Sequence, residues 1–399
     1  MKILAVCQYY APEPFLITDM CEELVRRGHE VTILTGVPNY PMGEIYPGYE
    51  KGKNRTEEKN GVKIIRCATI PRKNDVFHRF LNYFSYPVSA CIRAGKLDDD
   101  FDVVFTNQQS PVMMCWPAIK YAKKHGKKIV MYCMDLWPAS LVAGGMHDGL
   151  IYKFFGWLSK RVYRRMDVIL NTSRMFEKYL IDAFAVDKSR IKHLPQYAEG
   201  IFEDVGTAED KYIDLMFAGN VGTAQSLDTV IKAAQAVKRP DVRWHIVGDG
   251  KELERIKRTA EGMENVIFYG RKPLEEMPEY YKKADAMLVT LMSDPLICLT
   301  LPGKVQTYMA AGKPIISAAD GETKFTVEDA KCGFAVDAED YIGLAKAVED
   351  FAESDWRELA EKSRAYFEEH YQRELFFDRL EDELVKNCVK PMPAVIMKL

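Results

Sequence analysis

The sequence predicts an α/β protein of two doubly wound, Rossmann-like domains that face each other across a cleft. Short apolar runs, typical of buried parallel strands, alternate with segments of helical period along the whole chain. At 399 residues the chain is long enough for two domains of ordinary size. The alternation lapses once, where Pro195, Gly200 and Gly206 lie among acidic residues without periodicity. We therefore predict an N-terminal domain at 1–195, a linker at 196–210, a C-terminal domain at 211–370, and a C-terminal helix and tail at 371–399 that crosses back to the N-terminal domain.

Five apolar runs are the strand candidates of the first half, and helical patterns separate them. They lie at 3–6, 31–34, 103–105, 129–132 and 168–170. Between residues 39 and 65 the order gives way to a loop rich in Pro, Gly and Tyr, and then to a hairpin that turns at Asn60-Gly61. We interpret this stretch as an insertion on a regular scaffold.

The second half repeats the architecture of the first. Its strand candidates lie at 215–218, 244–247, 266–269, 286–290 and 315–317. The last helical stretch, at about 356–387, is mostly charged with an apolar stripe, which is typical of a helix packed on a folded domain.

The composition excludes several classes of protein. Apolar residues make up 47% of the chain and charged residues 28%, the balance of a globular protein, and a net charge of -3 gives no basic footprint for nucleic acid. The nine cysteines show no metal-binding spacing, so we expect reduced, mostly buried thiols and no metal site. No signal peptide is recognisable and no run approaches the roughly 20 apolar residues of a membrane span, so we expect a cytoplasmic protein.

Two glycine turns follow neighbouring strand candidates of the second half. Gly219-Asn220-Val221-Gly222 follows the first strand, and Gly248-Asp249-Gly250 follows the next. Glycines at such turns let backbone amides and a helix N-terminus approach a phosphate closely, although a plain tight turn would have the same sequence. Because both turns lie at the carboxyl edge of one sheet, they predict a ligand crevice there.

The most specific stretch begins at Pro302. Pro302 suits the start of a helix, so Gly303 and Lys304 stand at its first turn. A lysine there is unfavourable for the helix alone by some tenths of a kcal/mol, whereas a charge-assisted bond to phosphate is worth roughly 1.5–3 kcal/mol. The pattern favours a bound anion over a simple capped helix. Three polar side chains follow on the same helix and are predicted to reach ribose hydroxyls or a diphosphate: Gln306, Thr307 and Tyr308.

The first half offers polar groups for the opposite wall of the cleft. Tyr10 and Glu13 follow the first strand, and Asp135 and Trp137 follow a later one. Asp135 is predicted to orient a sugar hydroxyl, with a helix cap as the alternative, and Trp137 to offer a flat apolar face on which a sugar can stack. His29 and His125 lie at the other edge of the sheet, where we expect structural functions.

Two stretches combine aromatic and basic residues at helical spacing, at 72–86 and 152–165. They would let the first domain rest on an anionic bilayer surface, or they are amphipathic helices packed on their own sheet with a solvated basic face. The aspartates at 98–100 resemble a metal-binding D-x-D, but they precede a strand and so favour a solvated loop.

Taken together these residues resemble glycosyltransferase family 4, the retaining enzymes of the GT-B fold, over nearly the whole chain. The resemblance is greatest to the branch of bacterial capsule and O-antigen clusters, which includes N-acetyl-fucosaminyl-type transferases. The segments that carry it are 3–10, 28–32, 135–138, 219–222 and 302–314.

The resemblance implies that the C-terminal domain binds a nucleoside-diphosphate sugar, most simply a UDP-sugar, and that the N-terminal domain binds the acceptor. Arg271 and Lys272 would then meet the base, Lys304 and the glycine turn at 219–222 the diphosphate, and residues 306–308 the ribose. No cofactor is obligatory in such an enzyme.

Two departures concern carboxylates and a histidine. The family's pair of glutamates eight residues apart would fall at Leu299 and Thr307, so the usual route of ribose recognition is missing. The histidine that often precedes the aspartate of the N-terminal domain is Met134, which leaves Asp135 as the polar group there.

A third departure concerns positive charge. The Arg and Lys that commonly follow the first glycine of the phosphate loop are replaced by Asn220 and Gln225. The resemblance therefore leaves Lys304 and Arg271 as the cations that would neutralise the diphosphate.

The sequence thus predicts a retaining transferase that moves a hexose or N-acetylhexosamine from a UDP-sugar to a hydroxyl, with Asp135 and Lys304 as the catalytic residues. A lipid-linked glycan acceptor in surface polysaccharide synthesis, reached at the inner face of the plasma membrane, would explain the aromatic and basic stretches. Two alternatives stay open: a UDP-sugar 2-epimerase of the same fold, whose paired acid and base carboxylates and cleft histidine we cannot assemble, and a non-catalytic scaffold that binds nucleotide sugars.

Overall fold

A computed structural model describes residues 1–72, 76–98, 100–144, 149–203, 205–208 and 210–388. Its first sheet has eight strands in the order β3-β4-β2-β1-β5-β6-β7-β8, and every neighbouring pair is parallel except β3 and β4. The strands are β1 (Lys2–Val6), β2 (Glu30–Gly36), β3 (Thr56–Lys59), β4 (Val62–Cys67), β5 (Val103–Gln108), β6 (Ile129–Cys133), β7 (Val168–Asn171) and β8 (Ile191–His193).

Five helices connect the strands of this sheet and cover its faces. They are α1 (Ile17–Arg26), α2 (Val76–Ala94), α3 (Trp116–His125), α4 (Leu150–Tyr163) and α5 (Phe176–Phe184). All six residues of β5 and all five of β6 are buried, as expected for parallel strands covered on both faces. The continuous apolar runs of the sequence follow directly from this double burial.

The hairpin at residues 56–67 is partly different from its prediction. It turns at Asn60-Gly61, where both residues have positive φ (51° and 77°), which confirms the predicted turn. Its second strand, however, pairs in parallel with β2 over five residues. β4 is therefore an integral strand of the sheet rather than part of an insertion, and β3 alone extends the edge.

The second sheet has six parallel strands in the order β11-β10-β9-β12-β13-β14. They are β9 (Ile213–Ala218), β10 (Val242–Val247), β11 (Val266–Gly270), β12 (Ala286–Thr290), β13 (Ile315–Ala318) and β14 (Gly333–Val336). Its helices are α6 (Leu227–Ala236), α7 (Leu253–Thr259), α8 (Met277–Lys283), α9 (Gly303–Ala310), α10 (Gly321–Ala330), α11 (Tyr341–Ala352) and α12 (Trp356–His370).

The helical stretch predicted at about 356–387 is two helices. The chain leaves the helical conformation after α12 at Tyr371 and Gln372, and α13 (Arg373–Lys386) then packs on α1 of the first sheet. At this crossing the amide of Ala198 donates to the carbonyl of Tyr371 at 3.4 Å. The two connections between the sheets therefore lie side by side. The predicted tail at 389–399 lies outside the described residues.

The described part of the chain has no helix that is both long enough and apolar enough to cross a bilayer. None of the nine cysteines, all of which lie within the described ranges, forms a disulfide, and six of them are buried. The carboxyl ends of the strands of both sheets face the space between them, so the loops after β1, β9 and β10 line a common cleft.

Candidate active site

The cleft between the two sheets has a volume of about 900 Å³, which suits a nucleotide-sized ligand. Of the residues that the sequence placed at a ligand site, eight line it. They are Gly219, Asn220, Gly248, Gly250, Arg271, Lys272, Lys304 and Thr307. The structure thus brings together groups that lie far apart in the chain.

The two glycine turns touch each other, and this contact explains why they are glycine. Gly248 has φ +142°, and a Cβ there would lie 1.8 Å from the carbonyl oxygen of Gly219. A Cβ at Gly250 would lie 2.3 Å from the carbonyl oxygen of Val221. Side chains at either position would push the turns apart, so the glycines hold the floor of the cleft together.

Two of the backbone amides that were predicted to bind phosphate already donate hydrogen bonds within the protein. The amide of Gly219 donates to the carbonyl of Val247 at 2.9 Å, and that of Val221 donates to the carbonyl of Asp249 at 2.8 Å. These two groups hold the sheet edge and cannot also hold a phosphate. Gly219 and Asn220 both line the cleft, and of the two only Asn220 has a backbone amide that is not used between the turns; Gly222 lines a separate small cavity near α7.

Lys304 lies at the first turn of α9 and is the central cation of the cleft. Its Nζ donates to Oε1 of Gln225 at 2.6 Å and lies 3.9 Å from the centre of the Phe217 ring. Among the described residues no carboxylate forms an ion pair with it. Burial therefore lowers the pKa of Lys304 from 10.5 to about 7, because desolvation penalises its charged form.

Two of the predicted ribose-binding residues do not reach the cleft. Tyr308 is fully buried, and its hydroxyl accepts from the amide of Ala218 at 3.0 Å and donates to the carbonyl of Ala218 at 2.9 Å. Gln306 is 1% exposed, and its amide group donates to the carbonyls of Pro302 and Gly303. Both predictions are wrong, because these side chains leave α9 on the face that packs against its own domain. Thr307, one turn beyond Gly303, lines the cleft.

Asp135 lies in a second, smaller cavity of about 220 Å³ between the sheets. Its carboxylate accepts hydrogen bonds from the hydroxyls of Ser110 and Ser140. Burial raises the pKa of Asp135, and the two serines oppose this shift. Gln225 lines the same cavity and also binds Lys304, so the two predicted catalytic residues belong to adjoining spaces.

The predicted acceptor-side residues require correction. Trp137 is 1% exposed, and its ring packs edge-on against Tyr83 and Phe155 at 5.4 Å from each, so no sugar can stack on it. Tyr10 is likewise 1% exposed and belongs to the core of the first domain.

Glu13 is a loop-organising residue. Oε1 accepts from the amides of Asn39 and Tyr40 at 2.8 Å each, and Oε2 accepts from that of Tyr10 at 3.3 Å. The carboxylate thus fastens the loop after β1 to the loop after β2, and it is 3% exposed. It shapes the wall of the cleft without facing it.

Several residues that line the cleft are not predicted by the sequence. The first domain contributes Phe15 and Tyr40, whose rings pack together at 5.2 Å, and the segment between the sheets contributes Glu199 and Phe202. Aromatic residues in proline-rich loops give no periodic signal, and the segment at 196–210 has the pattern of a linker. A rule that residues shortly after the strand ends enter the cleft would have found Tyr40, four residues after β2, but not Phe15, nine residues after β1.

The D-x-D alternative finds no support. Asp98 pairs with Lys124 at 3.3 Å and Asp100 with Lys127 at 2.7 Å, while Asp99 lies outside the described residues. Within the described ranges, no group of three or more His, Cys, Asp or Glu side chains could hold a metal ion.

Solved structures share the arrangement of both sheets and of the cleft. Sucrose-phosphate synthase from Thermosynechococcus elongatus superposes with a TM-score of 0.72 at 16% identity, covering 96% of this chain and 98% of that one. HepE of Anabaena, solved in complex with UDP, superposes with a TM-score of 0.72 at 13% identity, covering 97% and 100%. Two Rossmann-like domains about such a cleft define the class: this is a GT-B fold.

The sequence comparisons identify the chain more closely. Residues 16–196 match the model described as Glycosyltransferase Family 4, and residues 200–372 match that described as Glycosyl transferases group 1. The chain therefore carries a domain like those of glycosyltransferase family 4, followed by a domain like those of glycosyl transferases group 1. WcaI of Escherichia coli K12, named among colanic acid biosynthesis glycosyl transferases, is 25% identical over 81% of this chain and 84% of its own. WbjE of Pseudomonas aeruginosa, named as a glycosyltransferase, is 24% identical over 82% and 84%.

Proposed function

We propose that the chain transfers a hexose or N-acetylhexosamine from a UDP-sugar to a hydroxyl group, with retention at the anomeric carbon. The observation that carries the proposal is Lys304, a half-buried ammonium group at a wall of glycine turns without a carboxylate partner in the described structure. A half-buried cation without a counter-charge is costly, and a diphosphate in the cleft supplies that charge. HepE of Anabaena, which shares the fold, was solved with UDP and with UDP-glucose.

In the proposed reaction the bond between the anomeric carbon and the β-phosphate oxygen breaks, and the acceptor oxygen attacks from the same face. The proton of the acceptor hydroxyl passes to the departing phosphate oxygen, and UDP leaves. Lys304 stabilises the negative charge that develops on the diphosphate, and Asn220 is placed to donate from the glycine turn. Because Lys304 supplies this charge, we propose that no metal ion is obligatory.

Asp135 is proposed to orient a hydroxyl of the donor sugar or of the acceptor. Its carboxylate is held by Ser110 and Ser140 in a cavity whose other walls come from the second domain. Gln225 lies between this cavity and Lys304. A sugar attached to the β-phosphate would therefore lie next to the cavity that contains Asp135.

We propose a lipid-linked glycan as the acceptor, reached at the inner face of the plasma membrane, in surface polysaccharide synthesis. Helix α4 carries exposed apolar side chains beside exposed basic ones, which favours the membrane alternative left open by the sequence. The name of WcaI, a colanic acid biosynthesis glycosyl transferase, favours a polysaccharide product, and an N-acetyl-fucosaminyl-type donor fits the resemblance of the sequence.

The test is turnover with a panel of UDP- and GDP-sugars and lipid-linked acceptors, with Lys304→Ala as the variant. We expect at least one donor to be consumed only when acceptor is present, with loss of turnover in Lys304→Ala at unchanged circular dichroism. Turnover that survives chelation by EDTA would support the metal-free reaction. Interconversion of UDP-N-acetylglucosamine without acceptor would instead identify an epimerase, and donor binding without turnover would identify a scaffold.

A further inference from the structure

A small set of polar contacts joins the two domains. Ser173, Arg174 and Met175 lie between β7 and α5 of the first domain, and they meet Leu299 and Glu322 of the second. We call these five residues the interdomain catch. None of them was singled out for this contact by the sequence.

Glu322 is the centre of the catch. It lies in the first turn of α10 and is 1% exposed, yet its two carboxylate oxygens both reach the other domain. Oε2 accepts from the backbone amide of Met175 at 3.0 Å, and Oε1 accepts from Arg174 at 3.3 Å. Opening the cleft would leave this carboxylate without these partners.

The amide that Glu322 binds belongs to the start of a helix. Met175 is the N-cap residue of α5, and its own side chain makes no capping hydrogen bond. A carboxylate at this position satisfies a free amide and interacts favourably with the helix dipole. Glu322 therefore caps a helix of the first domain from the second domain, which makes the contact specific to one relative orientation of the two.

The catch is also connected to the phosphate site. The hydroxyl of Ser173 donates to the carbonyl of Leu299, which lies three residues before Pro302 and the start of α9. Behind that loop, a Cβ at Gly321 would lie 2.2 Å from the carbonyl oxygen of Cys298. The loop that leads to Lys304 is thus held between the first domain and the start of α10.

Arg174 completes the arrangement. It donates to the hydroxyl of Tyr366 at 2.9 Å and lies over the ring of Phe325 at 5.1 Å, so its position is fixed by three contacts with the second domain. If the first domain moved away from the second, Arg174 would lose all three of these contacts.

We infer that Glu322 is a positioning residue that holds the two domains closed, so that the wall of the first domain that carries Asp135 meets the nucleotide site of the second domain. The inference rests on the proposed function. Because the cleft residues that carry phosphate-binding chemistry all lie in the second domain, loss of the catch leaves nucleotide binding intact and impairs the reaction between the domains.

The experiment compares Glu322→Ala with wild type and with Lys324→Ala. Lys324 lies on the same helix and pairs with Asp337 inside the second domain, so its variant is the matched control. We expect Glu322→Ala to lower kcat roughly tenfold or more while the Kd for UDP, measured by calorimetry, stays within about threefold. Its radius of gyration by small-angle scattering should exceed that of wild type, and Lys324→Ala should match wild type in all three measurements.

Glu322→Gln, which keeps an acceptor for the Met175 amide, should recover part of kcat. If Glu322→Ala does not fold, Ser173→Ala or Arg174→Ala replaces it in the same comparison. Wild-type values of kcat and radius of gyration in Glu322→Ala would overturn the inference, as would a parallel loss of UDP binding. If wild type turns over no donor, the proposed function fails, and the scattering comparison still decides whether Glu322 holds the domains together.

Discussion

At the scale of the residue, the proposed chemistry depends on Lys304, whose surroundings disfavour its charged form unless a ligand supplies negative charge. In Lys304→Met the half-buried ammonium group is removed and the side-chain volume is largely kept. Folding depresses the pKa of Lys304 to about 7, so between that value and 10.5 the unfolded chain binds a proton that the folded chain does not. Stability of wild type therefore rises with pH through this window, and the variant should lack that rise. Thermal unfolding of both proteins between pH 6.5 and 9 measures the difference, and parallel curves would contradict it.

The affinity for a nucleotide should change with pH in the opposite direction to the stability. A diphosphate next to Lys304 favours its charged form, so binding takes up a proton once the pH exceeds about 7. Affinity for UDP should then fall by about tenfold per pH unit above pH 7.5. Calorimetry in buffers of different ionisation heat detects the proton uptake. Lys304→Met should bind weakly with no such slope, and an equal slope in the variant would assign the proton to another group.

Gly248 offers a second test at the same scale. Gly248→Ala places a methyl group 1.8 Å from the carbonyl oxygen of Gly219, so the two turns must separate. We expect a loss of stability of about 3 kcal/mol or more, together with weaker UDP binding. Gly262→Ala is the control, since Gly262 also has positive φ (+84°) but has no atom within 4 Å of the Cβ position. Equal losses in both variants would assign the effect to backbone strain alone.

At the scale of the element, helix α4 stands out for the apolar surface it exposes. Its exposed fractions are 87% at Leu150, 59% at Ile151, 47% at Phe154 and 48% at Trp157. Arg161 lies over the Trp157 ring at 3.8 Å, and the exposed faces also carry Lys153 and Lys160. Helix α2 packs beside α4, where the rings of Phe84 and Phe155 stack at 6.5 Å, and adds the exposed ring of Phe80. Such a surface favours an anionic bilayer.

The corresponding prediction concerns vesicle binding. Phe154→Ser with Trp157→Ser should reduce sedimentation with vesicles that contain phosphatidylglycerol by about tenfold or more, since each buried aromatic side chain contributes roughly 1.5–3 kcal/mol. Activity on a water-soluble acceptor should stay unchanged. Ile342→Ser, at a 66% exposed apolar position of the second domain, is the control. Binding that persists in the double variant, or that does not depend on phosphatidylglycerol, would argue against this surface.

At the scale of the whole molecule, α13 fastens the end of the described chain to the first domain. Arg27 binds Glu374, Asp378 and Glu381 of α13 at 2.7–2.9 Å. Arg27→Ala should lower stability by about 1–2 kcal/mol, less than for a fully buried network because two of the carboxylates are largely exposed. Hydrogen exchange should then quicken in α13 first. Lys386→Ala, which removes an exposed pair within α13, should leave exchange unchanged, and uniform quickening throughout the molecule would contradict the local effect.

The architecture is predictable because doubly buried strands leave continuous apolar runs. β8 is missing from the prediction because two of its three residues are exposed, and β14 because its four residues are only half-buried, so neither leaves an apolar run. The glycine turns and Lys304 are predictable because glycine at a strand end and lysine in a first helical turn both cost stability unless a close contact or a bound anion offsets it. Side-chain direction is harder to predict: Trp137 follows the right strand but points into the core, since position in the chain does not fix orientation.

The faces of α9 show how much helical phase adds to such a prediction. Lys304 and Thr307 are three residues apart and share the face that lines the cleft, while Val305 and Tyr308 share the buried one. Helical phase alone would have removed Gln306, which lies roughly 200° around the helix from Lys304, but not Tyr308, which follows Lys304 by four residues. The catch around Glu322 could not have been found in this way, because it depends on how the two domains meet.

The return of α13 to the first domain has a consequence for biosynthesis. The ring of Phe376 packs against Tyr132 at 5.3 Å and Tyr197 at 4.8 Å, so the core of the first domain contains side chains that are translated after the whole second sheet. During synthesis part of the apolar surface of the first domain therefore stays open to water until the second sheet and α13 have been translated.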